Sequence, residues 1–410
     1  MSRPCAGALV PFAPFLPLCL LASLACGGPE LQFADWVDPL PRQGVPVLEY
    51  AAVPYEDREG HEIEVIDDLV LGDALNPEEA FYQPTYVDTD AAGNILVLDR
   101  GDPRIQVFDP EGTYLRTMGR EGQGPGEFAQ PSYLLVTADH VVLRADTRRL
   151  SIWTLDGEHV RDVQLTESLL TMMGFDHGFV ARRTLRERPE SPSAERPAAT
   201  YSFSTYDAFG EPVASLVALR EPPPVTLPMP GGGFMTMSGG PIADWGIRAA
   251  TARDGSFYAG SGTEYQLHAY GPRSWSLRVA WPREPVTGEH VESVKNRFAD
   301  SEGMLSQIDL SNIKWPEHHV AVMGMDVDGH GHLYVYPFHL PLHRPLGPDE
   351  ERPDLPRMVD VYSADGELLF NGLIDLGSWA SARGDFVYAT RTNEDTEETE
   401  VVRYRLVEPF

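Results

Sequence analysis

The chain has 410 residues, 42% of them hydrophobic, and carries 32 Lys+Arg against 62 Asp+Glu for a formal net charge of −30. It can bury a large core, so a disordered or fibrous class is excluded. A nucleic-acid backbone would be repelled and no basic cluster offsets the acidity, so no nucleic-acid partner is expected.

Residues 1–25 read as an export signal: Arg3 supplies an early charge, and a mostly apolar stretch runs to Ala25. Pro11, Pro14 and Pro17 interrupt that stretch and argue against a membrane span. All three cysteines, Cys5, Cys19 and Cys26, lie in or next to it, so the remainder holds neither a disulfide nor a Cys metal site. "LASLAC" followed by "GG" resembles a bacterial lipobox, which implies lipid attachment at Cys26 and a place in the cell envelope. Plain cleavage near Ala25 is the alternative and would leave the protein periplasmic or extracellular. Residues 26–45 then form a tether, and residues 46–410 the folded domain, expected to act as a monomer that meets the membrane only through the lipid.

Within 46–410 a two-strand unit recurs. Its first strand reads "NILVLD" (94–99), "HVVLRAD" (140–146), "GFVARR" (178–183), "SFYAG" (256–260), "HLYVY" (332–336) and "DFVYATR" (385–391). The second begins at Arg104, Leu150, Phe203, Leu267, Val359 and Val401. Alternating apolar residues between turn signals mark antiparallel strands, and the best copies repeat at about 45 residues, the length of a propeller blade. The fold expected is an all-β, six-bladed β-propeller with four-stranded antiparallel blades.

"DTDAAGNILVLDRGDPRIQVFDPEGTYLRTMGREGQGPGEFAQP" (88–131) resembles an NHL repeat, which joins an Asp-x-x-Gly-Asn turn, a strand ending in Asp, an Arg-Ile-x-Val-Phe strand and a Gly-rich link. The resemblance, to bacterial six-bladed propeller lipoproteins, covers 85–165 and 325–370 well, and only the strand skeleton from 166 to 320. Members of that group are mostly without assigned activity, and the role expected here is binding. Two related propeller classes, the lactonase-type hydrolases and the amidating lyases, imply the alternative, catalysis with a divalent ion at the axis.

The Gly-rich stretch 119–131 is followed by a strand, not a helix, and is paralleled at Leu71–Asp90, with Phe-x-Gln-Pro shared at Phe81–Pro84 and Phe128–Pro131. It is therefore a link between blades rather than a phosphate loop, with its Phe packed between neighbours. "EIEVIDDLVLG" (62–72) is an outer strand without a blade, and the last blade lacks one, so 62–72 is expected to close the ring. Two insertions interrupt the pattern: a Pro/Arg/Glu-rich loop at 183–202, and a helix at 287–309 between blades four and five, opening on Thr287-x-x-His.

Candidate chemistry is sparse. His330 and His332 precede a strand that His339 and His343 follow, so all four cannot share one ion. Asp99 and Asp146 end equivalent strands, and Arg104 and Arg149 begin the next ones. These four, with His339 and His343, are the expected ligand residues, on loops at one end of the ring, for a protein, peptide or glycan. The competing reading is that Asp and Arg at these places brace neighbouring loops. No catalytic residue, metal ligand or cofactor is expected: no nucleophile motif is present, and "DVDGHG" at Asp326 lacks the twelfth-position Glu of a calcium loop and reads as a turn.

Overall fold

The computed structural model describes residues 44–73, 75–185, 200–220, 246–300, 315–340, 355–376, 380–393 and 397–407, with short pieces at 33–34, 225–228, 234–237, 306 and 310. The signal segment, Cys26, most of the tether, His343 and the loop 186–199 lie outside the described residues.

Six antiparallel groups of four strands follow one another along the chain, some joined by further strands into sheets of five and eight. Blade 1 is built from Pro84–Thr89, Ile95–Asp99, Arg104–Phe108 and Tyr114–Met118. Blades 2, 3, 4 and 5 begin at the inner strands Ser132–Val136, Thr171–Phe175, Ile247–Thr251 and Val322–Val327. Blade 6 takes Ala380–Arg383, Phe386–Thr392 and Thr399–Val407 from the C-terminus and Glu62–Leu71 from the N-terminus. Each inner strand contacts the inner strand of the next blade, and the sixth returns to the first, so the sheets form a closed ring.

Local chemistry sets the turns. In blade 1 the Asp90 carboxylate accepts the backbone N–H groups of Ala92 and Asn94, both at 2.9 Å, and Gly93 takes the positive φ of +85° that the turn requires. Asp109, Asp207 and Asp328 repeat the arrangement, accepting the N–H groups two and four residues on. The Gly-rich stretch is a link, as read: Phe128 is fully buried between blades 1 and 2, edge-on to Trp153 at 6.1 Å. A Cβ at Gly119 would stand 2.2 Å from the Phe128 ring, so the link closes only with glycine there. Among the described residues the apolar core divides into six clusters, one between each pair of neighbouring blades.

The N-terminal segment does more than close the ring. Glu62–Leu71 pairs antiparallel with Thr399–Val407 and, at Glu62 and Ile63, parallel with Leu373 and Ile374 of blade 5. Val47–Ala51 runs parallel to the outer strand Ser276–Ala280 of blade 4. Phe33 and Ala34, inside the expected tether, pair with Ala218 and Leu219 on the outer edge of blade 3. The segment thus supplies the outer strand of blade 6 and pairs, over two to five residues each, with the outer edges of blades 3, 4 and 5, satisfying part of their free backbone groups. The helix between blades 4 and 5 spans Gly288–Asp300, and the remainder of the expected 287–309 lies largely outside the described residues.

Arg58 fixes this segment in place. Its side chain is 1% exposed, with Nη1 2.7 Å from Asp360 Oδ1 and donating to the carbonyls of Val359 and Gly372 at 3.0 and 3.2 Å. Tyr265 donates to Asp360 at 2.7 Å and receives the Tyr362 hydroxyl at 3.0 Å, so the network joins blades 4 and 5 to the segment. Removing one member of a buried ion pair leaves the other charge uncompensated. Arg58→Ala is therefore expected to destabilise the protein by about 3–5 kcal/mol, measured by denaturant unfolding.

Candidate functional site

The loop-face residues sit where the strand pattern predicts, but their polar groups are turned to the backbone. Asp99 is fully buried and accepts N–H groups from Tyr82 and Gln83 at 2.8 Å each and from Gly101 at 2.9 Å. Arg104 donates to the carbonyls of Pro77 and Ala80 at 3.0 and 2.9 Å. In the next blade Arg149 holds the equivalent carbonyls, Gly124 and Glu127, at 2.9 and 2.8 Å, and pairs with Asp162 at 3.0 Å. Asp146, 39% exposed, pairs with Arg149 at 3.1 Å. Asp99, Arg104 and Arg149 thus direct most of their polar contacts to the backbone of the links entering blades 1 and 2, the arrangement of a brace.

The histidines are likewise dispersed. His339 stacks on Tyr55 with ring centres 4.2 Å apart, and burial lowers its pKa. His332 Nδ1 lies 2.9 Å from Asp328, while His330 reaches Asp385 at 3.3 Å. His290 completes the helix cap: its Nδ1 accepts the Thr287 N–H at 3.2 Å, and Thr287 Oγ1 accepts the His290 N–H at 3.4 Å. Because that nitrogen already accepts, the 3.1 Å contact from His319 Nε2 makes His319 the donor. Burial, and then His290, push the His319 pKa down to about 4. Among the described residues no three His, Cys, Asp or Glu side chains gather at metal-ligand spacing.

The polar groups that do converge lie at the axis. A chamber of about 130 Å³ is lined by the inner strands of all six blades. Apolar and polar groups share its walls, with Leu134, Leu135, Met172, Met173, Ala250 and Met325 supplying the apolar part. One end carries Asp88, Arg253, Asp326 and Arg383 on the ends of inner strands and the turns that follow them, opposite the expected loop face.

Asp88, with its side chain 6% exposed, is the centre of this end. Its Oδ1 takes Arg253 Nη2 at 2.9 Å and its Oδ2 the Val136 N–H at 2.8 Å. Arg383 Nε stands 3.6 Å away and donates to the Val87 carbonyl at 3.2 Å. Arg253 continues to the carbonyls of Thr89 and Val136 at 2.9 and 2.6 Å. Blade 4 lies across the ring from blade 1, so the Arg253–Asp88 pair spans the axis, and the group ties blades 1, 2, 4 and 6.

Asp326 is the repeat equivalent of Asp88: "DTDAAGN" from Asp88 aligns with "DVDGHGH" from Asp326. Its surroundings differ. Among the described residues it makes no ion pair, and desolvation by the enclosing protein pushes its carboxyl up to about 6, against a smaller pull from Arg383 and the Ala382 N–H. Sequence reasoning stopped at the turn formed by the second Asp of each motif. The signal that finds the axial pair is the first Asp, recurring two residues earlier on the inner strand.

Residues 86–177 match the DUF5128 family model, described as a 6-bladed beta-propeller. A search of curated proteins finds no match. Among solved structures the chain is similar to a member of the DUF4221 family from Bacteroides vulgatus, at 13% identity over 84% of this chain and 98% of that one, TM-score 0.49. It is also similar to virginiamycin B lyase from Staphylococcus aureus, at 8% identity over 84% and 100% of the two chains, TM-score 0.37. A third is the calcium-binding protein regucalcin from Agrobacterium tumefaciens, at 10% identity over 88% and 96%, TM-score 0.34.

The two equivalent aspartates should respond oppositely to substitution. Asp88→Ala leaves two guanidinium groups facing each other and is expected to lower stability by about 3–5 kcal/mol. For Asp326 the folded-state pKa is raised, so the folded protein binds a proton that the unfolded chain has lost between about pH 4 and 6. Stability therefore falls as pH rises through that window and stays reduced above it. Asp326→Asn is expected to raise unfolding stability at pH 7.5 by about 3 kcal/mol, two pKa units at 1.36 each, with the gain vanishing near pH 4.

Proposed function

We propose that the protein is an exported binding module, a six-bladed propeller that receives one side chain of a protein or peptide ligand in its axial chamber. The observation that supports this reading is the chamber itself, which sets a methionine-rich patch beside a group of charged side chains around Asp88. A volume of about 130 Å³ suits a side chain rather than a folded segment. The methionines among its walls are adaptable, which suits side-chain recognition better than a sugar, whose hydroxyl groups need a row of fixed polar partners. Export rests on the segment 1–25, and lipid attachment on Cys26 in "LACGG"; the protein acts as a monomer tethered outside the cell.

Binding through the chamber is tested by filling it. A peptide array probed with the purified protein selects ligands, and Met173→Trp is expected to weaken the best of them at least about tenfold, or 1.4 kcal/mol, with the circular dichroism spectrum unchanged. Retained affinity would move the site elsewhere. Asp99→Ala, in a brace, should instead lower the melting temperature and leave affinity intact.

A further inference from the structure

The charges around the axial chamber do not balance. Three carboxylates line it, from Asp88, Asp326 and Asp328, against two guanidinium groups, from Arg253 and Arg383. Asp88 is met by Arg253 at 2.9 Å and Arg383 at 3.6 Å. Asp328 is met by His332 at 2.9 Å and by the N–H groups of its own turn. Arg253 is held on the carbonyls of Thr89 and Val136 and Arg383 on that of Val87, so among the described residues Asp326 receives only the Ala382 N–H and the more distant charge of Arg383. Asp326 is left as the one carboxylate of the three without an ion pair among the described residues. An enclosed carboxylate in that state is unfavourable unless a cation arrives to meet it.

We propose that the chamber recognises a primary ammonium group on an unbranched apolar stem, such as a lysine side chain of a peptide, with Asp326 as its counter-charge. This deepens the binding reading above and rests on it. The stem lies against Met172, Met173 and Met325, and the ammonium is placed at the charged end, where its positive charge cancels the surplus negative one. A bulkier guanidinium would stand closer to Arg253 and Arg383, and a carboxylate would add to the surplus. The net charge of −30 attracts cationic ligands from a distance and supports the same choice.

Calorimetric titration of the full chain with Nα-acetyl-lysine methylamide, its norleucine analogue and its glutamate analogue tests the assignment. The lysine compound is expected to bind at least about tenfold tighter than norleucine, which shares the stem, and glutamate not to bind. Asp326→Asn, a variant expected to fold at least as well as the parent, should bring lysine down to the norleucine affinity and leave norleucine unchanged. Equal affinity for lysine and norleucine, a preference surviving Asp326→Asn, or no binding of the lysine compound overturns the ammonium assignment. Met173→Trp separates that failure from failure of the chamber: if it abolishes whatever binding is seen, the chamber stands and only the ligand class falls, and if it does not, both fall.

Discussion

A carboxylate with its side chain 6% exposed at the axis is the constraint around which the ring is organised. Asp88 cannot be buried alone, because an unpaired charge in so dry a place is worth several kcal/mol of instability. Its partners come from three other blades, and the principal one comes from the opposite side of the ring. Apolar packing between blades holds neighbours together but has no means of relating blade 1 to blade 4. The ion pair supplies that relation, setting the width of the ring and where the axial chamber ends.

The repeat makes the contrast with Asp326 informative. The same residue on the same inner-strand position, one repeat family apart, is saturated in one blade and left open in the other. A structural role explains the first. The second runs against stability, and proteins retain such groups where something must be bound or charged. Asp99, Arg104 and Arg149 show the opposite pattern: each belongs to a motif that suggests a site, and each is spent on the chain's own backbone.

How much was legible follows from how local each feature is. Period-two strands such as "NILVLD" and Asp-x-x-Gly turns are written in a few consecutive residues, so blade count and strand order could be read directly. The pairing of Glu62–Leu71 with the last strand has a trace in the sequence, an orphan strand facing a deficient blade. The pairing of Phe33–Ala34 and Val47–Ala51 with outer edges was not, because two to five residues lying parallel on a distant strand leave no periodic trace. The axial network was hidden for a different reason. Arg253 and Asp88 are 165 residues apart, and only a closed ring makes them neighbours. On the loop face the sequence left two readings open, because an Asp that binds a ligand and an Asp that caps a loop look alike in sequence.

The stretch of chain that covers the outer edges of blades 3 to 6 has a consequence for the order of events in synthesis. Its residues are made well before their partners on blade 6, Val401 to Val407. Until then Glu62–Leu71 lacks its blade 6 partner, and the half-built ring keeps an open edge that invites pairing with other chains. The outer strand of blade 6 therefore cannot take its place before Val401 to Val407 are made. The same long-range pairing makes folding afterwards slow, as closing a loop of more than three hundred residues must precede the last strand contacts.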